Sequence, residues 1–116
     1  MTRLSDYEFG RISVDGAEHT RDLIVLPGRL VDNWWRRDGH SLVIEDLDEV
    51  VDELPEHLVV GCGHDGRLRP APGVVEELAG RGVEMEALPT REAVRRYTEL
   101  ERTNPAAVAA ALHLTC

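Results

Sequence analysis

The sequence has no lysine. All 13 of its basic residues are arginine, set against 22 acidic ones, and the net charge is −9. Sequence-independent nucleic-acid binding needs Lys and Arg to displace phosphate counterions. Here Arg36-Arg37 and Arg95-Arg96 are isolated pairs among acids, not a stripe, which excludes that class. Long apolar runs are missing too. The longest, Ala106 to Leu112, falls far short of the roughly 20 residues that cross a bilayer. Met1 to Asp6 carries no apolar core of a secretory signal. Cysteine is scarce: Cys62 and Cys116 are too few for a disulfide scaffold. These absences predict a cytoplasmic protein with no membrane or nucleic-acid partner.

With 116 residues, 42% of them hydrophobic, the chain can bury roughly two-thirds of its unfolded surface. One domain, residues 1–116, with no structural metal or cofactor, is the expectation. The first third reads as short strands. Phe9, Ile12 and Val14 lead into Asp15-Gly16, a turn dipeptide. Leu23–Leu26 is a buried strand closed by Pro27-Gly28, and Leu30–Trp35 suggests another. Leu47, Val50, Val51 and Leu54 fall at i, i+3, i+4 and i+7, one face of a helix, with Asp46 placed to cap it. Leu58–Val60 is a buried strand. A second helix from Pro72 buries Val74, Val75 and Leu78, and Val83–Leu88 alternates like an edge strand. Thr90 can cap a third helix that buries Ala93, Val94, Tyr97 and Leu100. Ala106–Leu114, small and apolar, reads as a central strand. Strand, helix, strand from Leu58 to Leu88 makes a parallel βαβ unit.

Several signatures occur in order: Phe9-Gly10 with Val14-Asp15-Gly16, Trp35-Arg36 with His40, Gly61-Cys62-Gly63, Leu88-Pro89-Thr90 with Ala93 and Tyr97, and His113-Leu114-Thr115-Cys116. Together, over nearly the whole chain, they resemble the Mth-type domain family, which includes the adipogenesis-associated Mth-domain protein and a respiratory complex I assembly factor. The resemblance implies a compact three-layer α/β fold. Its central sheet would be mixed, with the last strand antiparallel to its neighbours. It implies no agreed enzymatic activity, and better-known members act in assembly or regulation. The sequence departs from the family pattern at Thr98, where Asn is usual, and at Asn104-Pro105.

Open α/β sheets place ligands beyond the carboxyl ends of their strands. Glycines there admit backbone N–H groups, and a helix start favours anions. Gly61, Gly63, Thr90 and Arg91 therefore outline a candidate anion or small-molecule pocket, with Trp35, Arg36 and His40 on its rim. The plainer reading gives the glycines to tight turns and Thr90 to a cap. Cys62 with His64 and Asp65 has the composition of a thiol nucleophile, but residues two apart on a tight turn need not face each other. Cys62, His64, His113 and Cys116 have zinc-ligand chemistry. An antiparallel last strand would put the two pairs at opposite sheet edges, disfavouring both a shared metal and a disulfide. His113, on a central strand, reads as a buried and hydrogen-bonded histidine. The carboxylates of 46–53 read as a solvated face.

Adjacent residues on a strand point to opposite faces, so at most one of Trp34 and Trp35 lies in the core. Trp35 matches the family's Trp-Arg position and is assigned to the fold or pocket wall. Trp34 is then the candidate interface anchor. The function expected first is a non-catalytic domain binding a protein partner or a small anionic ligand. The second is an enzyme or sensor using the pocket beside Gly61, Gly63 and Thr90.

Overall fold

The computed structural model describes residues 2–116. Three strands open the chain: β1 (Leu4–Glu8), β2 (Arg11–Val14) and β3 (Ala17–His19), paired antiparallel. Asp15 (φ 50°) and Gly16 (φ 87°) form the tight turn between β2 and β3, the left-handed pair such a hairpin needs.

The central sheet follows. It contains β4 (Leu23–Val25), β5 (Leu30–Asp32), β7 (His57–Cys62), β9 (Glu84–Leu88) and β10 (Val108–His113), in the order β5-β4-β10-β7-β9. A short parallel pair, β6 (Ser41–Leu42) with β8 (Arg69–Pro70), stands apart. The helices are α1 (Val74–Gly80) and α2 (Thr90–Thr103). Strand alternation divides the core in two. Leu23, Val25, Val59, Ala110 and Leu112 pack with Tyr7, Ile12, Ala93 and Tyr97, under α2 and the first three strands. Ile24, Leu58, Val60, Ala109 and Ala111 pack with Trp34, Leu42, Leu47, Val74 and Leu78 on the other side. The result is three layers around a mixed sheet.

The last strand departs from expectation on one side. It runs antiparallel to β4 but parallel to β7, in register from Val108 opposite His57 to His113 opposite Cys62. The reason is α2. Its 14 residues span about 21 Å, enough to carry the chain from the end of β9 back to the amino end of the sheet. β9-α2-β10 is thus a second parallel crossover.

Several local expectations also change. Residues 44–54 form two 3₁₀ turns, Ile44–Leu47 and Val51–Glu53, instead of one helix. Asp46 does not start the turn. It sits at the third position and reaches back, its carboxylate accepting from Val43 N at 3.0 Å. Leu47 and Val50 are fully buried, whereas Val51 and Leu54 only pack against the core edge. Val75 of α1 is 44% exposed. Leu47→Ala should therefore cost about 2–5 kcal/mol. Leu54→Ala should cost clearly less, and Asp52→Ala should be near neutral. Urea unfolding of the three variants checks this order; equal losses at 47 and 54 would contradict it.

Leu30–Trp35 is a strand only to Asp32. Asn33 then adopts φ 65°, which reverses the side on which the next residues fall. Trp34 is 6% exposed and Trp35 75%, the opposite of the expected assignment. The Trp34 indole N–H donates to Asp46 O at 2.9 Å, satisfying its polar edge inside the core. Buried in this way, Trp34 cannot serve as the interface anchor.

Candidate functional site

The carboxyl ends of β7, β9 and β10 lie at one edge of the sheet, and β4 begins there. The turn after β7 and the start of α2 meet at this edge in direct hydrogen-bonded contact. Gly63 N–H donates to Thr90 Oγ1 at 2.8 Å, Thr90 Oγ1 donates to His113 O at 2.6 Å, and Thr90 N–H donates to Gly63 O at 3.0 Å. Thr90 therefore clamps two strands and does not cap its helix. The two glycines make room for this closure. A Cβ on Gly61 would sit 2.9 Å from both Leu112 Cδ2 and Thr90 Oγ1. One on Gly63 would sit 2.7 Å from Thr115 O and 2.8 Å from Cys116 O. The tail after β10 fills the space, fixed by His64 N–H donating to Thr115 O at 2.7 Å.

The remaining predicted residues divide between the two faces. Arg91 is exposed on the α2 side, with its guanidinium carbon 5.3 Å from the Tyr7 ring centre and Nη2 3.6 Å from Glu8. His40 is exposed. It anchors a loop through its backbone: its N–H donates to Asp38 and its carbonyl accepts from Arg69 N–H. Trp35 borders a separate groove on the outer side of β5. Cys62 is buried with the Trp34 side of the core, while His64 packs against Phe9 and Tyr7. The two therefore form no dyad. Burial pushes the Cys62 thiol up, against weaker lowering by the Leu88 backbone and Arg69, so it is not a ready thiolate. The parallel direction of β10 brings His113 to the same edge as Cys62, which removes the opposite-edge argument against zinc. Among the described residues, no three His, Cys, Asp or Glu side chains gather closely enough to hold a metal ion.

What does assemble at this edge is Arg36, Asp22 and His113. Their side chains are 5%, 18% and 9% exposed. Arg36 Nη2 lies 2.9 Å from Asp22 Oδ2, and His113 Nδ1 lies 2.8 Å from the same oxygen. A carboxylate only accepts, so Nδ1 carries the hydrogen and donates to Asp22. Leu114 N–H donates to Asp22 Oδ1 at 2.8 Å. The Arg36 guanidinium also stacks 4.7 Å from the Trp34 ring centre. Arg36 Nε and Nη1, both buried, have no hydrogen-bond partner among the described residues. Leaving a buried donor unmatched costs about 1–3 kcal/mol, more for a charged group.

Asp22 was missed in the sequence. The available signal was a charged residue immediately before the fully apolar strand Leu23–Leu26. Burial alone would raise its pKa. The hydrogen bonds from His113 and Leu114, with the charges of His113 and Arg36, outweigh burial and hold the carboxyl below its ordinary value. A lowered carboxyl adds stability that is fully present above the unfolded pKa, about 3.9, and that fades as pH falls through the native value. The stability gap between the native protein and Asp22→Asn should therefore be constant near neutrality and narrow below about pH 4. Urea titrations at stepped pH read this directly; a gap that widens on acidification would contradict it.

A family model described as "Protein of unknown function (DUF498/DUF598)" matches residues 4–113. Among solved structures, a protein described as MT938 is 30% identical with both chains covered completely, at a TM-score of 0.78. The solution structure of a Mth938-like domain from Bordetella pertussis is 22% identical over 97% of this chain and 85% of its own, at 0.76. An outer membrane protein from Bartonella henselae is 22% identical over 99% and 96%, at 0.80; at such identity the last two likenesses are of fold alone. No helix of the described residues is long and apolar enough to cross a membrane. The resemblance seen in the sequence and the three-layer mixed-sheet fold thus agree with the family match, and the chain belongs to the DUF498/DUF598 family, a family of unknown function with the Mth938-like fold.

Proposed function

We propose that this domain acts by binding and not by catalysis, and that its small ligand is an anion held by Arg36. The observation that carries this reading is the pair of buried, unpartnered donors on Arg36. The guanidinium is already oriented by Asp22 and by the Trp34 face, so little side-chain entropy remains to be lost on binding. A carboxylate or phosphate oxygen would match a donor in a site of low dielectric, where such a bond is strong. Asp22 and His113 orient the cation and complete no nucleophilic pair. The turn at Gly61 and Gly63 with Thr90 supports this site by closing the sheet edge beside it. We place the protein in the cytoplasm, a reading supported by two cysteines that are both free.

The test is thermal denaturation in graded phosphate, acetate and citrate, against chloride of equal ionic strength. A ligand that binds only the native state must raise the melting temperature. The native protein should show a saturable rise with one of these anions, and Arg36→Lys and Arg36→Gln should lose it. If every anion acts equally on all three proteins, or none acts, the donors are met by ordered water and the proposal fails.

A further inference from the structure

Beyond the Arg36 site, the surface carries a second feature of different chemistry. A groove of about 380 Å³ runs between the end of β5 and the first 3₁₀ turn. Its floor is apolar, from Ile24, Val31 and Val50, and the exposed indole of Trp35 forms part of its wall. Glu45, Asp46, Asp48 and Glu49 line it against a single guanidinium, that of Arg37. Asp46 is committed internally: its two oxygens accept from Arg37 N and Val43 N. Glu49 lies 3.7 Å from Arg29. Glu45 and Asp48 have no ion-pair partner among the described residues.

We infer that this groove binds an arginine-bearing segment of another protein. An exposed Trp face attracts a cation, and the planar guanidinium stacks on it better than an ammonium. The free carboxylates beside it accept the guanidinium N–H groups. The apolar floor takes the aliphatic stem of the same side chain. An acidic occupant is repelled, and a second copy would bring its own net charge of −9 to an acidic face. The groove and the anion site meet at Trp34, which lines the groove and stacks on Arg36, but Arg36, Asp22 and His113 are not among the groove's lining residues.

The experiment is a titration of the isotope-labelled full chain with acetyl-Gly-Arg-Arg-Gly-amide, with its Lys and Gln counterparts, and with an acidic tetrapeptide. The Trp35 indole N–H signal reports the groove, and the Leu114 amide, which donates to Asp22 beside Arg36, reports the anion site. The Arg peptide should shift the Trp35 signal saturably and bind at least about threefold more tightly than the Gln peptide. Binding should weaken with salt. Trp35→Ala, read on the amides of Glu49 and Val50, should weaken it by a similar factor with the melting temperature unchanged. Glu45→Gln combined with Asp48→Asn should do the same. Equal binding of Arg and Gln peptides, preference for the acidic one, or indifference to Trp35→Ala would overturn the inference. So would light scattering that shows a dimer lost in Trp35→Ala, because a second copy would then be the occupant. Failure here leaves the anion response of Arg36 unaffected, so the two readings fail separately.

Discussion

Asp22→Ala should cost about 3 kcal/mol, which for a chain of this size lowers the melting temperature by about 10 °C. The loss arises from what is left behind. Arg36 Nη2 bonds to Asp22, and its Nε and Nη1 have no partner among the described residues. Without Asp22 a guanidinium that is 5% exposed keeps no carboxylate, and Leu114 N–H loses its acceptor. Removing one member of a buried ion pair is far more harmful than removing both. The double variant Asp22→Ala/Arg36→Met should therefore be more stable than Asp22→Ala alone, and a double-mutant cycle isolates the coupling. If Asp22→Ala unfolds within about 1 kcal/mol of the native protein, Asp22 is not what holds Arg36.

Gly63→Ala should be of similar size for a different reason. Gly63 has φ 96°, a conformation that disfavours a Cβ by about 1–2 kcal/mol. The added carbon would also fall 2.7 Å from Thr115 O, 2.8 Å from Cys116 O and 2.8 Å from the His113 ring. Two of the three are backbone atoms, so the tail must move and the His64 to Thr115 bond is lost. Overpacking of this kind adds about 1–3 kcal/mol. Gly39→Ala is the control. Nothing lies within 4 Å of its added Cβ, and the change should be neutral or slightly stabilising. A Gly63→Ala protein as stable as Gly39→Ala would mean the tail is not packed against the turn.

Much of the fold was legible because it rests on local pattern. The buried runs Leu23–Leu26 and Leu58–Val60 and the helix carrying Ala93 and Tyr97 stand where periodicity puts them. The direction of β10 also had a signal, since a helix of α2's length between two strands implies a parallel return. The antiparallel expectation came from the family resemblance. The misread segments share a cause: a single residue or local crowding overrides the period. Asn33 in the left-handed region exchanges the roles of Trp34 and Trp35. Crowded acids with the β-branched pair Val50-Val51 break an apparently helical face into two 3₁₀ turns. At the site, the shared direction of β7 and β9 brings Gly61, Gly63 and Thr90 into contact. Whether glycines line a cavity or allow close packing is decided by the tail, whose position depends on β10. Arg36 stood out in the sequence, but its partner Asp22 is distant along the chain, and nothing local joins them.

The most direct test of the central claim watches Arg36 itself. Its side-chain Nε–H gives a resolvable nitrogen–proton signal, which can be assigned by its loss in Arg36→Lys. Titration with phosphate and with acetate at constant ionic strength should move that signal saturably, with the His113 ring and the Leu114 amide following and the amides of β1–β3 unmoved. An Arg36 Nε–H signal that stays fixed with every anion, while the same anions leave the melting temperature unchanged, would contradict an anion site at this guanidinium.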